Sequence, residues 1–382
     1  MGSSAQILLT IFALSSTLLT AAPLHAKEPE GADRVRGDQW HLRYLEVPKV
    51  QRISQGEGVV VAVPDTGVAP HADLIGNVLP GTDTFLGRYG DGRQDQDSHG
   101  TGMAGLIAAH GNGDRGALGI APKAKILPVR VKRINEQGNS DDLAAGIEYS
   151  VAHGAEVISI SSVSGPDLRL QQAVETALRA NIIVVAGAGN RPRERQVGFP
   201  AAYPGVIAVG GTDRSGNHAT VSVDGPEIDV VAPAVDIYST SIDGKYRKGT
   251  GTSDATAIVA GAAALIRSKY PYLPAQEVAH RLTATAVDKG PPGRDDKYGY
   301  GVINLVAALT ADVPPLGFES TAPSAPSGLS PTTAAASPSS DSGDGATARG
   351  LATLGAIVAA SGGYLLWRRR RRADDPPPRI SR

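Results

Sequence analysis

Between residues 58 and about 312, short apolar runs alternate with segments of helical pattern. The runs fall at 59–63, 126–131, 157–161, 182–186, 206–209 and 228–231. The helical segments fall at 100–109, 142–152, 168–180, 253–269 and 275–286. A run that is apolar at successive positions has no face to offer water, so it belongs in a sheet covered on both sides. Runs separated by helices predict an α/β domain of three layers around a mostly parallel central sheet. Sites in such open sheets lie beyond the carboxyl ends of the strands. Asp65 directly follows the first run, and Asn190 follows Ile-Ile-Val-Val-Ala-Gly-Ala-Gly.

Four stretches carry chemistry: Val-Pro-Asp65-Thr-Gly, Ser-His99-Gly-Thr-Gly, Ala-Gly-Ala-Gly-Asn190 and Gly-Thr-Ser253-Asp-Ala-Thr. In chain order they supply an acid, a base, a side-chain amide and a nucleophile, the parts needed for acyl transfer by an activated serine. Ser253 opens an apolar segment rich in Ala and Gly, which places it at the positive end of a buried helix. His99 starts a helix whose small residues permit tight packing, as a base held at a fixed distance requires. Asp65 is the candidate partner of His99 Nδ1, and Asn190 with the Ser253 N–H is the candidate oxyanion hole. Each has a plainer reading when taken singly. Ser253 reads as a helix N-cap, His99 as a partly exposed helix start, and Asp65 and Asn190 as turn residues. Their order and wide separation favour the joint reading. Asp-Thr-Gly is also an aspartic-protease signature, but that mechanism shares a proton between two carboxylates, and the chain has no second such motif. No His-Glu-x-x-His, Walker A or Rossmann fingerprint is present.

The chain contains no Cys, which excludes disulfides, Cys-type zinc sites and thiol catalysis. Its net charge of -1 carries no footprint for nucleic acid. No cofactor is expected, and no ligand cluster is specific enough to name a metal. Residues 1–26 resemble a secretory signal, although no Lys or Arg precedes Lys27. Residues 27–57 read as a short N-terminal extension, with Trp40, Leu42 and Leu45 as candidate anchors onto the catalytic domain at 58–312. Residues 313–349 are rich in Pro, Ser and Ala and read as a linker. Residues 350–367 carry no charge and as a helix would extend about 27 Å, close to a bilayer core. Residues 368–372 are all Arg, a stop-transfer and positive-inside signal. The expected topology is a catalytic domain outside the cell membrane, one C-terminal transmembrane helix, and a basic cytoplasmic tail at 368–382.

From Gly56 to Leu309 the chain resembles subtilisin-family (S8) serine endopeptidases, in which acid, base and nucleophile follow this same order. Further matches are Gly119-Ile-Ala-Pro-Lys-Ala-Lys, Phe199-Pro-Ala-Ala-Tyr-Pro-Gly-Val-Ile-Ala-Val-Gly, Val231-Ala-Pro and Gly299-Tyr-Gly-Val-Ile-Asn. With its two apolar ends, short extension and linker, the chain is most similar to the mycosins, membrane-anchored subtilases associated with type VII secretion. The resemblance implies a subtilisin-like fold, polypeptide substrates, and a place beside a secretion membrane complex. A structural role in such a complex, with little proteolysis required, is the alternative. It also implies that Ser159, Ser161, Ser162 and Val163 line the substrate pocket. Several residues depart from the family. Asp254 follows the nucleophile where an apolar residue is usual, Ala257 replaces a Pro, and Pro64 sits in a strand expected to be central. The 159–164 segment is Ser-rich where the family often has Gly, and the Cys pairs of many mycosins are absent. An inward-pointing Asp254 would oppose a negative transition state. It is therefore expected to point away, or to stabilise a charged His99.

Overall fold

The computed structural model describes residues 31–85, 90–133 and 139–317. Among these, seven strands form one sheet: β1 (Val60–Asp65), β2 (Thr82–Asp83), β3 (Lys125–Arg130), β4 (Val157–Ile160), β5 (Ile183–Gly187), β6 (Ile207–Thr212) and β7 (Val230–Pro233). Their order is β2-β3-β1-β4-β5-β6-β7 and every pairing is parallel. A separate antiparallel hairpin joins β8 (Ile237–Thr240) to β9 (Tyr246–Gly249). All six expected strands are present, displaced by at most three residues at their ends.

Both faces of the sheet are apolar. Val61 and Val63 of β1 pack with helices α4 (His99–Ala108) and α7 (Thr252–Lys269) on one side. Ala62 between them packs with α5 (Ser140–Ala152) and α6 (Leu168–Arg179) on the other. This is the expected three-layer arrangement. In α6 the buried residues are Leu170, Ala173, Val174 and Ala177, one helical stripe, and Asp167 caps the helix by accepting from Leu170 N–H at 2.8 Å. By contrast α7 is buried along nearly its whole length. Its small residues are what allow this: a Cβ at Gly261 would lie 2.7 Å from Ile120 Cβ.

Pro64 sits in β1 without breaking a ladder. Asp65 accepts from Val131 N–H, so the alternate residue Pro64 faces β4. The β1–β4 ladder covers only Val61 and Ala62, and Pro64 lies past its end. The missing N–H therefore costs no cross-strand bond.

The N-terminal extension is folded onto the domain. It forms α1 (Ala32–Asp38), α2 (Trp40–Tyr44) and α3 (Val47–Val50). Val35, Trp40, Leu42, Leu45, Val47 and Val50 join the same core as α4 and α7. Trp40 Nε1 donates to the Val235 carbonyl at 3.1 Å, and Gln39 donates to the carbonyls of Leu118 and Tyr238. The last helices among the described residues, α8 (Ala275–Ala284) and α9 (Leu305–Thr310), pack on the α7 side, and α9 meets α3. No helix among the described residues is long and apolar enough to cross a membrane. The expected signal at 1–26, transmembrane segment at 350–367 and basic tail lie outside the described residues.

Candidate active site

Asp65 is the last residue of β1, His99 the first of α4, and Ser253 the second of α7. Asn190 stands three residues past β5. His99, Asn190 and Ser253 line one cleft of about 500 Å³ at the carboxyl ends of the strands. Ser253 is partly exposed while its neighbours Thr252 and Asp254 are buried.

His99 Nδ1 lies 2.8 Å and 2.9 Å from the two Asp65 oxygens. A carboxylate only accepts, so Nδ1 carries a proton and Nε2 is the ring nitrogen left for the cleft. Asp65 is fully buried and also accepts from Thr66 N–H at 2.7 Å. Burial pushes its carboxyl up. The charges of His99 and Lys132 and the hydrogen bonds from His99 and Thr66 outweigh that and hold it well below the usual carboxylate range.

The turn into α4 is organised by Asp95, which the sequence reading missed. Its carboxylate accepts from Thr66 Oγ1, from the N–H groups of Asp97 and Ser98, and from both Thr101 N–H and Thr101 Oγ1. Ser98, just before His99, is held at φ 80°, a conformation unfavourable for a residue with a Cβ. The Gly residues after His99 allow close packing. A Cβ at Gly100 would meet the Gly67 carbonyl oxygen at 2.2 Å, and one at Gly105 would meet Thr240 Oγ1 at 2.1 Å. An Asp four residues before a helix-start His was the available sequence signal for Asp95.

Asn190 is fixed at both ends. Its N–H donates to Glu194 Oε2 at 2.7 Å, and its Oδ1 accepts from Thr252 N–H at 2.8 Å. With the amide oxygen turned to α7, the amide nitrogen is directed away from it, as a donor for an anion must be. In the first turn of α7 the N–H of Ser253 has no partner within its own helix.

Asp254 points away from the cleft. It is buried, and its Oδ1 lies 3.3 Å from Arg247 Nη1 of β9. Burial raises its pKa, opposed by the charges of Arg247 and His99 and by the Arg247 hydrogen bond. The residue after Ser253 is thus an acid buried behind it and paired with Arg247.

Of the four residues expected to line the pocket, Ser161, Ser162 and Val163 face the cleft. Ser159 does not. It lies within β4, is 1% exposed, and its hydroxyl makes no hydrogen bond among the described residues. Strand alternation turns it into the core, which corrects that expectation. Ser161 Oγ donates to the Ser253 carbonyl at 3.2 Å. Lys132, also missed, reaches this region from β3. No group of three or more His, Cys, Asp or Glu among the described residues is placed to hold a metal ion.

The subtilase family (peptidase S8) profile matches residues 56–301 of the chain. The chain belongs to the subtilase family. This subtilase is 40% identical over 271 residues to subtilisin DY of Bacillus licheniformis, an alignment covering 69% of this chain and 96% of that protein. It is 37% identical over 281 residues to subtilisin Savinase of Lederbergia lenta, covering 73% and 98% of the two chains. Among solved structures it is similar to MycP1 with the N-terminal propeptide removed, at 31% identity and TM-score 0.66, covering 72% of this chain and 98% of that one. MycP1 of Mycobacterium smegmatis gives 29% identity and TM-score 0.65, covering 72% and 85%. The subtilase is accordingly a serine endopeptidase whose substrates are polypeptides.

Proposed function

We propose that this subtilase cleaves peptide bonds through Asp65, His99 and Ser253, with Asn190 in the oxyanion hole. The observation that carries the reading is the 2.8 Å pairing of His99 Nδ1 with buried Asp65, in a cleft that Ser253 also lines. His99 Nε2 takes the proton of Ser253 Oγ as that oxygen attacks the scissile carbonyl. Asp65 holds the tautomer and stabilises the imidazolium. The negative oxygen is received by Asn190 Nδ2 and the Ser253 N–H. Loss of one such donor costs about 10²–10³ in rate, a figure measured in a subtilisin. His99 then gives its proton to the leaving amine, and water releases the acyl group by the reverse sequence. A fluorophosphonate probe tests this reading. The parent should label and Ser253→Ala should not, with a fall in kcat of about 10⁶-fold, the scale reached in subtilisin. Labelling that survives in Ser253→Ala would exclude Ser253 as the nucleophile.

We infer further that the enzyme is anchored in the cell membrane with its catalytic domain extracytoplasmic, and works beside a type VII secretion complex. The uncharged run at 350–367 followed by Arg at 368–372 supports anchoring. The similarity to MycP1, described as from the ESX-1 type VII secretion system, supports the association. A chain ending at residue 349 should leave the membrane fraction while the full chain stays in it. Equal partition of the two would reject the anchor.

A further inference from the structure

Lys132 lies two residues beyond β3 and is 8% exposed. A lysine ammonium has three protons to place. Here Nζ is 2.9 Å from Ser162 Oγ and 3.3 Å from the Ser161 carbonyl oxygen. It is 3.4 Å from Asp65 Oδ2. Since β3, β1 and β4 are adjacent in the sheet, this one side chain spans three strand ends. It starts beyond β3, meets Asp65 at the end of β1, and reaches the segment after β4. Ser161 in turn holds the Ser253 carbonyl. A continuous path of contacts therefore runs from His99 through Asp65, Lys132 and Ser161 to Ser253.

We propose that Lys132 is a positioning residue for the Asp65–His99 pair, tying the Asp65 carboxylate to the cleft-lining Ser161–Ser162 segment so that acid, base and nucleophile share one rigid support. The inference rests on the proposed triad. Apart from His99, Oδ1 of Asp65 has the Thr66 N–H and Oδ2 has Lys132. Without the ammonium one oxygen loses its second partner, and the carboxylate can rotate and carry the imidazole with it. A misplacement of about 1 Å in such a site costs about 10²-fold in rate. The cation also leaves an electrostatic signature. It opposes positive charge on the imidazole and favours ionised Asp65, so its removal moves the acidic limb of the pH–rate profile to higher pH. The other charges around the pair stay in place in a Lys132 variant: Asp95 against Thr66 and Thr101, Asp254 with Arg247, and Asp97, Arg133 and Glu194 on the cleft wall.

The test measures kcat and KM against pH for the parent, Lys132→Met and Lys132→Arg with a small activated ester, which makes few contacts along the cleft. Folding is checked by circular dichroism. Lys132→Met is expected to lower kcat about 10²-fold with little change in KM, and to shift the acidic limb upward. Lys132→Arg is expected to keep the parent's limb and recover part of kcat. A folded Lys132→Met with kcat within about twofold of the parent and an unmoved limb overturns the proposal. If Lys132→Met does not fold, Lys132→Gln is compared with Lys132→Arg, and an identical acidic limb in both overturns it. Ser253→Ala separates the two readings. Activity retained there defeats the triad, whereas an inactive Ser253→Ala beside parent-like Lys132 variants defeats the Lys132 proposal alone.

Discussion

At the scale of single residues, charge is placed with unequal tolerance around the site. Asp65 and Asp254 are both buried carboxylates near His99, yet they are shifted in opposite directions. Asp65 gathers enough positive partners to outweigh burial, whereas Asp254 has Arg247 on one side and remains raised. The sign of the consequence follows. A native carboxyl with a raised pKa binds its proton more tightly than the unfolded chain does. Stability is therefore greatest below the ordinary carboxylate pKa and falls as pH rises through the raised value. Asp254→Asn should flatten this slope from the ordinary carboxylate pKa, about 4, upward, as read by thermal unfolding at several pH values. A parallel slope in variant and parent would show that Asp254 is not its source. The four motif residues were legible because their chemistry demands particular side chains at particular strand and helix ends. Asp95 and Lys132 were not, because their roles depend on neighbours brought together only by the sheet order.

At the scale of elements, the N-terminal extension behaves as part of the core. Its helices are short, seven, five and four residues, too short for a periodic signal or for stability on their own. Trp40, Leu42 and Leu45 were readable as anchors, but the helices exist because the domain supplies their packing. The same holds for β8 and β9, whose Ile-Tyr-Ser-Thr and Tyr-Arg-Lys-Gly sequences carry no run of apolar residues. Within α2, His41 is fully buried, and neither ring nitrogen has a hydrogen-bond partner among the described residues. Burial pushes its pKa down to about 3. Above the unfolded value near 6.5 the imidazole is neutral in both states and costs nothing through ionisation. As pH falls below 6.5 the unfolded chain takes up a proton that the folded chain refuses, and stability is lost down to about pH 3. At pH 5 the loss is of order 2 kcal/mol. His41→Leu should remove that loss, so that its melting temperature exceeds the parent's by more at pH 5 than at pH 7. An equal difference at both pH values would count against it.

At the scale of the whole domain, the described residues close on themselves: α3 near their start packs against α9 near their end. Six buried apolar residues of the extension contribute to the core that α7 also occupies. Each fully buried side chain of this kind is worth about 1.5–3 kcal/mol, an upper estimate. Deleting residues 31–50 should therefore lower the melting temperature sharply and expose apolar surface to a dye such as ANS. An unchanged melting temperature would mean that the extension is only draped over a self-sufficient domain. The alternation of apolar runs and helices disclosed the three layers because burial on two faces leaves so plain a pattern. Strand order left no such trace, since it is decided by crossovers between distant segments. The spacing of positions 65, 99, 190 and 253 also sets an order of arrival. A polypeptide delivered from its amino terminus presents the proposed acid and base early, while the proposed nucleophile comes only with α7, which needs the assembled sheet to bury it. On the proposed triad, hydrolytic competence is thereby withheld until nearly all of the domain has been made. Ribosome-arrested chains ending at residue 250 should be silent to an active-site probe, and those exposing residues through 311 should respond.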